Sequence, residues 1–203
     1  MNRLWLAAIL SALLLGLPDH AVAQTAAQRS PLEKAVSLDT DPHLVAWWKF
    51  DEAIGKRTAD SSKKGHDGVL EGGASLDTAS APGRIGTALK LDGKDAYLRV
   101  PGFKGVTGTG PRTLAVWIKT ATAGGEIVSW GLDDHGQMWT FGHIRGRIGV
   151  TPKGGYLYMK AGTDDDAWHH VAVVVREASP PNLHDDVKLY RCLLYTSPSP
   201  RDS

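Results

Sequence analysis

A polar turn between aromatic residues is the stretch of this sequence whose residue types best suit ligand binding. Asp133, Asp134 and His135 follow Trp130 closely, and Tyr156 comes after the next glycine-rich turn. Aromatic rings stack on sugar faces, and neighbouring carboxylate and imidazole groups can hydrogen-bond to hydroxyls. These five residues are therefore candidate ligand-binding residues. The alternative is that the rings pack in the core and the polar groups only form turns.

Acidic residues in loops indicate a second chemistry. Asp60 and Asp67 flank an early loop, and further acidic clusters occur at Asp133-Asp134 and at residues 164–166. Carboxylate oxygens are the hard ligands that calcium prefers, although the spacing matches no EF-hand loop. Asp60 and Asp67 are thus the candidate metal ligands, and calcium is the one cofactor that the sequence suggests. The alternative is that these carboxylates cap turns by accepting hydrogen bonds from the backbone.

Strands separated by tight turns must position these residues. With 23 glycines and 7 tryptophans, the composition favours an all-β protein. Trp168–Val175 has the densest strand pattern, and alternation places His169 and His170 on opposite faces. We expect one histidine in the core with a hydrogen bond and the other on a sheet face. The predicted strands are Leu44–Phe50, Gly68–Glu71, Ala88–Leu91, Ala96–Val100, Thr113–Lys119, Glu126–Trp130, Gln137–His143, Arg147–Thr151, Tyr156–Lys160, Trp168–Val175 and Val187–Tyr190.

The N-terminus has the pattern of a secretory signal peptide. A short polar start precedes the apolar run Leu4–Leu17, and small residues precede a cleavage point after Ala23. Residues 1–23 are thus the predicted leader, and residues 24–42 a linker with a short helix over Pro31–Leu38. We expect a secreted, periplasmic or cell-surface protein with no membrane span after cleavage. The balance of 23 basic against 22 acidic residues argues against a nucleic-acid partner.

Several motifs occur in a recognisable order along the chain. They are Leu44 to Glu52, Asp60-Ser61-Ser62, Gly83 to Gly93, Tyr97 to Val100, Thr113 to Lys119 and Trp168 to Ala172. This order resembles LamG-like jelly-roll domains of the concanavalin A-like lectin/glucanase superfamily over residues 43–190. The resemblance implies an antiparallel two-sheet jelly-roll sandwich that serves as a binding or adhesion module, and related domains often bind calcium.

Residues 191–203 depart from that family pattern. Such domains continue beyond a strand like Val187–Tyr190 into further strands, whereas Cys192 to Asp202 can be back-translated as a transposase sequencing adapter. We therefore expect an artefactual tail, a jelly roll that is incomplete at its C-terminus, and further C-terminal domains in the natural polypeptide. The alternative is a disordered Ser/Pro tail. Without closing strands, the fragment is expected to expose strand edges and aggregate.

The resemblance leaves two classes of function open, recognition and catalysis. Glucanases of this fold use paired carboxylates, which would appear at alternating positions of one strand. Glu126–Trp130 has only one carboxylate, and no zinc-type histidine spacing, Gly-x-Ser-x-Gly motif or phosphate loop occurs. We therefore expect a non-catalytic module that binds glycan or an extracellular protein surface. A purely structural module is the first alternative, and a glycoside hydrolase is the second.

Overall fold

The structure, a computed structural model, describes residues 4–7, 38–179, 181–191 and 194–195. Its regular structure is almost entirely β, which confirms the all-β class predicted from the sequence. Within the described ranges the helical elements are a 3-10 turn at Leu38–Thr40 and the single-turn helix α1 at Leu76–Ala79. The strands are β1 Leu4–Ala7, β2 Arg57–Thr58, β3 Gly68–Glu71, β4 Ser80–Pro82, β5 Thr87–Leu91, β6 Tyr97–Arg99, β7 Arg112–Thr120, β8 Gly125–Gly131, β9 Met138–Ile144, β10 Arg147–Thr151, β11 Leu157–Gly162, β12 Trp168–Val175, β13 Val187–Arg191 and β14 Leu194–Tyr195.

These strands form three sheets. A seven-stranded sheet has the order β14-β13-β12-β7-β1-β5-β4, a four-stranded sheet has the order β11-β10-β9-β8, and a three-stranded sheet has the order β2-β3-β6. The described pairings between strands are all antiparallel. The sequence predicted a sandwich of two sheets, whereas the described strands form three. The third sheet is separate because β2, β3 and β6 pair with one another and with no strand of the two larger sheets.

The larger part of the core lies between the four-stranded sheet and β7, β12 and β13 of the seven-stranded sheet. Alternate residues of facing strands meet there, as for Ile118, Phe141 and Val171, each with 0% exposure. Burial of such side chains stabilises the fold by about 1.5–3 kcal/mol each. We call this the large cluster.

A second apolar cluster lies beside β5, the helix α1 and the three-stranded sheet. Leu70 of β3, Leu76 of α1 and Leu89 of β5 are its most deeply buried members. We call this the small cluster. The two clusters divide the seven-stranded sheet, because β7 contributes to the large cluster and β5 to the small one.

The strand Trp168–Val175 has the predicted bounds and the predicted alternation. It pairs with β7 along its whole length and with β13 on its other side, so it is an interior strand of the sheet. Val171, Val173 and Val175 pack into the large cluster. His169 lies on the same face, and His170 lies on the opposite face against the Trp117 ring, with the ring centroids 5.2 Å apart.

Leu44–Phe50 is not a strand, and this prediction is wrong. Only Trp48 forms a β-bridge, to Asp60. Phe50 adopts a left-handed conformation with φ of 62°, which breaks the extended run. The N–H of Trp47 donates to the Asp60 side chain, so a side chain takes the place of a partner strand.

Two further predictions fall largely outside the described residues. Of the predicted helix Pro31–Leu38, the structure describes only Leu38, which begins the 3-10 turn. Of the predicted leader it describes only β1, and cleavage after Ala23 stays a prediction. None of the helices in the described ranges is long and apolar enough to cross a membrane.

Candidate functional site

Two turns meet at one end of the four-stranded sheet. Residues 132–137 connect β8 to β9, and residues 152–156 connect β10 to β11. Lys153 Nζ donates to the Asp133 carboxylate at 2.7 Å and to the Asp133 carbonyl at 2.6 Å. The N–H of Gly136 donates to the carbonyls of Pro152 and Lys153. The turns are therefore held together by backbone and side-chain contacts rather than by strand pairing alone.

His135 lies against the second turn. Gly154 has φ of +130°, and a Cβ placed on it would overlap the His135 ring. Only glycine accommodates both this backbone conformation and this close approach. The adjacent Asp134 accepts hydrogen bonds from the His135 N–H at 2.7 Å and from Gln137 Nε2 at 3.0 Å. Asp134 therefore shapes its own turn, whereas His135 joins the two turns.

A pair of tyrosines leads away from these turns along β11. Leu157 and Met159 point into the large cluster, so alternation places Tyr156 and Tyr158 on the outer face of the sheet. Their rings stack with centroids 5.7 Å apart and an interplanar angle of 23°. The Arg147 guanidinium lies 5.1 Å from the Tyr158 ring centroid, which is cation–π distance. Tyr156 is 60% exposed, so its ring is open to a ligand.

We call the combination of these groups the Tyr156 surface. It comprises Asp133, His135, Arg147, Lys153, Tyr156 and Tyr158. It offers an exposed ring, two cations, a carboxylate and an imidazole, carried by β10, β11 and the two turns that meet at one end of the sheet. Asp133 and Lys153 have side chains that are 84% and 44% exposed, so both remain accessible in spite of their ion pair.

Trp130 does not join this surface. Its ring stacks on Trp139 with centroids 6.2 Å apart and packs against the large cluster. The backbone of Gly105 lies so close to the indole that a Cβ there would overlap it. Trp130 therefore packs against Trp139 and Gly105. This agrees with the alternative interpretation, in which the aromatic rings pack in the core.

The structure thus brings together Asp133, Asp134, His135 and the turn that leads to Tyr156, whereas the Trp130 ring stacks on Trp139. Sequence reasoning missed Arg147 and Lys153. The alternation of Tyr156 and Tyr158 on one strand was a usable signal for the aromatic pair. Nothing local in the sequence indicates Arg147 or Lys153, because their places follow from the pairing of β10 with β9 and β11.

The other predicted site, Asp60 with Asp67, is organised around the protein itself. The buried Asp60 carboxylate accepts hydrogen bonds from the backbone N–H groups of Trp47, Ser62 and His66 and from the Ser62 hydroxyl. Burial alone would raise the pKa of Asp60, but these hydrogen bonds outweigh it and hold the pKa below its ordinary value. Asp67 in turn accepts from the Asp60 N–H at 2.9 Å.

Calcium at this position would have to displace several of those donors. Within the described residues, no three His, Cys, Asp or Glu side chains are grouped so that they could hold a metal ion. The geometry therefore favours the turn-capping interpretation of Asp60 and Asp67. Calcium binding itself stays a prediction.

The adjacent histidines His169 and His170 each contact another side chain of the protein. His169 Nε2 lies 2.8 Å from the Asp165 carboxylate, and this hydrogen bond lowers the pKa of Asp165. Nearby, His143 Nε2 lies 2.9 Å from the Thr163 hydroxyl. Burial lowers the pKa of His143, and it lowers the pKa of His170 on the opposite face of β12. The expectation of one hydrogen-bonded core histidine and one histidine on a sheet face is confirmed.

Comparison with known proteins assigns this chain to no family. No family model matches the chain, and no curated protein matches it. A solved structure with a similar fold is that of an S-layer domain-containing protein from Clostridium thermocellum, at 21% sequence identity and a TM-score of 0.47. The likeness covers 76% of this chain and 71% of that chain. At this level it carries no conclusion about function, and the LamG-like resemblance remains an interpretation of the sequence.

Proposed function

We propose that this chain is a non-catalytic extracellular recognition module that binds glycan at the Tyr156 surface. The observation that carries the proposal is the stacked pair of the exposed Tyr156 and the half-buried Tyr158, which follows the turn that carries Lys153 of the accessible Asp133–Lys153 pair. A sugar ring has an apolar face that packs on an aromatic ring and a rim of hydroxyls that need donors and acceptors. The surface supplies the aromatic ring on β11 and the polar groups on the turns at the end of β11.

Rigidity supports the same proposal. Tyr156 adjoins β11, whose Leu157 and Met159 are anchored in the large cluster with 4% and 1% exposure. The stacking of Tyr158 under Arg147 further limits movement of the pair. A preorganised aromatic surface loses little conformational entropy when a ligand binds, which favours affinity.

The extracellular part of the proposal rests on the sequence of the N-terminus. Residues 1–23 have the pattern of a cleaved leader. LamG-like membership is part of the same proposal and is supported by the order of motifs between residues 43 and 190.

The test is a glycan array probed with the full chain and with three single tyrosine variants. Tyr156→Ala and Tyr158→Ala should each weaken binding by at least about tenfold, equivalent to about 1.4 kcal/mol. Tyr97→Ala is the matched control, because Tyr97 is also exposed, at 52%, but lies on β6 in the three-stranded sheet. Its affinity should stay that of the unchanged protein.

The array also separates the alternatives. Equal binding by Tyr156→Ala and Tyr97→Ala would refute the Tyr156 surface as the site. A folded chain that retains no glycan at all would instead favour a protein-binding or purely structural module. Release of reducing sugar from β-glucan by the same preparation would restore the hydrolase alternative.

A further inference from the structure

A row of hydroxyl side chains crosses the outer face of the four-stranded sheet and ends at Tyr156. Ser129 of β8 pairs with Thr140 of β9, and Thr140 pairs with Thr151 of β10. Tyr156 lies across from Thr151, one position beyond the last pair of β10 and β11. Ser129, Thr140 and Thr151 are called the hydroxyl row below.

The hydroxyl row lies on the face of the sheet that points away from the large cluster. Trp139 and Phe141, on either side of Thr140 in β9, belong to that cluster. Alternation along the strand therefore turns Thr140 outward, and the two residues paired with it lie on the same face. Because Tyr156 is on this face as well, the hydroxyl row and the exposed ring form one continuous surface.

The middle hydroxyl of the row has no partner within the described part of the chain. Thr140 is 8% exposed, and its Oγ1 is buried without a hydrogen bond. Buried polar side-chain atoms normally have at least one partner, and valine would fit the same strand position without an unsatisfied oxygen. The hydroxyl therefore favours a partner from outside the fold. Because threonine has alternative staggered rotamers, rotation about χ1 can present Oγ1 to such a partner.

The two flanking hydroxyls differ in their surroundings. Ser129 is exposed, so its hydroxyl is open to a ligand. Thr151 Oγ1 donates to the Gly155 carbonyl at 2.8 Å and accepts from the Lys153 N–H at 3.1 Å. These two hydrogen bonds hold the turn that leads to Tyr156. The row thus offers one open hydroxyl, one hydroxyl that needs a partner and one that holds the turn beside the ring.

We propose that the hydroxyl row continues the Tyr156 surface, so that the ligand is an extended polysaccharide chain lying across the strands rather than a single terminal sugar. The inference rests on the proposed function, because Tyr156 supplies the stacking contact at one end. One sugar unit stacks on this ring, and the units that follow place their hydroxyls against Thr140 and Ser129. Hydroxyl groups on both sides suit this contact, since each of them can donate and accept a hydrogen bond.

The spacing of the strands sets the length and the shape of the ligand. From β11 to β8 there are three strand positions, which is roughly 14 Å at a spacing of about 4.8 Å. One strand spacing is close to the length of one unit in an extended sugar chain, so the surface from Tyr156 to Ser129 takes about four units. A β-1,4-linked chain is extended and matches a straight row, whereas an α-1,4-linked glucan coils. The ligand class is therefore a β-1,4-linked polysaccharide.

The first experiment measures, by calorimetry on the full chain, the affinity for β-1,4-linked oligosaccharides of glucose, xylose, mannose and N-acetylglucosamine with one to six units. For the sugar that binds best, affinity should rise by at least about tenfold from the disaccharide to the tetrasaccharide and then level off. Maltohexaose, an α-1,4-linked chain, should bind at least about tenfold more weakly than the best hexasaccharide. Equal affinity for the disaccharide and the hexasaccharide would overturn the proposal, as would equal affinity for the two kinds of hexasaccharide.

The second experiment removes single hydroxyls from the row. Thr140→Val keeps the shape of the side chain and should weaken binding of the best hexasaccharide by about threefold to tenfold, with binding of the disaccharide unchanged. Ser129→Ala should weaken hexasaccharide binding by about threefold. Thr113→Val is the matched control, because it is the same substitution at an exposed position of β7 in the seven-stranded sheet. It should bind both ligands as the unchanged protein does.

The urea midpoint separates a contact with the ligand from an effect on the fold. Valine removes an unsatisfied hydroxyl, so Thr140→Val should be at least as stable as the unchanged protein. A loss of stability with equal weakening of disaccharide and hexasaccharide binding would make Thr140 a purely structural residue. Undiminished hexasaccharide binding by Thr140→Val would exclude it from the site. Both outcomes overturn the proposed role of the hydroxyl row.

Failure of this inference and failure of the proposed function give different results. If Tyr156→Ala weakens the binding of every length but affinity does not depend on length, glycan binding at Tyr156 stands and the extended ligand is refuted. If the array shows a bound glycan but none of the four β-1,4-linked series binds, the ligand class is refuted. If the folded chain binds no glycan at all, the proposed function fails and this inference fails with it.

Discussion

Replacing Asp60 with alanine should destabilise the domain by several kcal/mol. The buried carboxylate accepts backbone N–H groups from Trp47 at 3.0 Å, Ser62 at 2.9 Å and His66 at 3.0 Å, and the Ser62 hydroxyl at 2.8 Å. Alanine leaves three backbone donors without a partner. A buried unsatisfied donor costs about 1–3 kcal/mol. Because water can reach part of this loop, we expect a total loss of about 2–5 kcal/mol.

The free energy of unfolding of the full chain, measured by urea denaturation, gives this loss directly. Asp60→Asn keeps one acceptor oxygen and should lie between alanine and the unchanged protein. Asp67→Asn is the matched control: the substituted amide would still present the Oδ1 acceptor that the Asp60 N–H uses, so the loss should stay below about 1 kcal/mol.

Calcium separates the two interpretations of this loop. If Asp60 caps the loop, its substitution costs the same in calcium and in chelator. A loss for Asp60→Ala that disappears in chelator would show that the carboxylate acts through a bound ion. A loss below about 1 kcal/mol under both conditions would refute the hydrogen-bond argument.

Two further predictions concern the buried histidines and the turn beside Tyr156. Burial lowers the pKa of His143 and His170 below the ordinary 6.5. As the pH falls, the unfolded chain therefore binds these protons before the folded chain does. The stability that the neutral histidines contribute is complete above about pH 6.5 and is lost as the pH falls towards their folded pKa values. Urea midpoints between pH 7.5 and pH 5 should show this slope, and the double variant His143→Gln/His170→Gln should flatten it; an unchanged slope in that variant contradicts the assignment. Gly154→Ala should cost about 1–3 kcal/mol, because φ is +130° and the Cβ overlaps His135. A Cβ at Gly155 would meet only Leu183, at 3.6 Å, so Gly155→Ala should change the free energy of unfolding by no more than about 0.5 kcal/mol in the same urea assay. Equal losses of stability for the two variants would contradict the proposed turn geometry.

The interior strands could be predicted because their side chains alternate against apolar layers. Gly68–Glu71, Arg147–Thr151 and Trp168–Val175 have the predicted bounds, and each contributes alternate residues to a cluster. Leu44–Phe50 has the same apolar composition but ends in a left-handed residue and bonds to a side chain. The amino-acid composition of a segment does not show whether its backbone hydrogen-bonds to a neighbouring strand or to a carboxylate. The sequence alone therefore could not reveal this error.

The candidate site was partly predictable for a similar reason. Asp133 and His135 were predicted from a local pattern, a polar turn between two aromatic strand ends, and their role in binding stays a prediction. The packing of Trp130 could not be predicted, because it depends on Gly105, which is distant in sequence. Arg147 and Lys153 were missed because strand pairing and a turn-to-turn contact bring them to the tyrosines. The local sequence pattern therefore predicted the turn, whereas tertiary contacts determine which aromatic ring near it is exposed.

The Tyr156 surface takes its support from the large cluster and not from the small one. It is carried by β10 and β11, whose inner residues, Leu157 and Met159 among them, pack into the large cluster. The small cluster is built instead from residues of β3, α1 and β5. Local opening of the small cluster should therefore leave Tyr156 with its support from Leu157 and Met159.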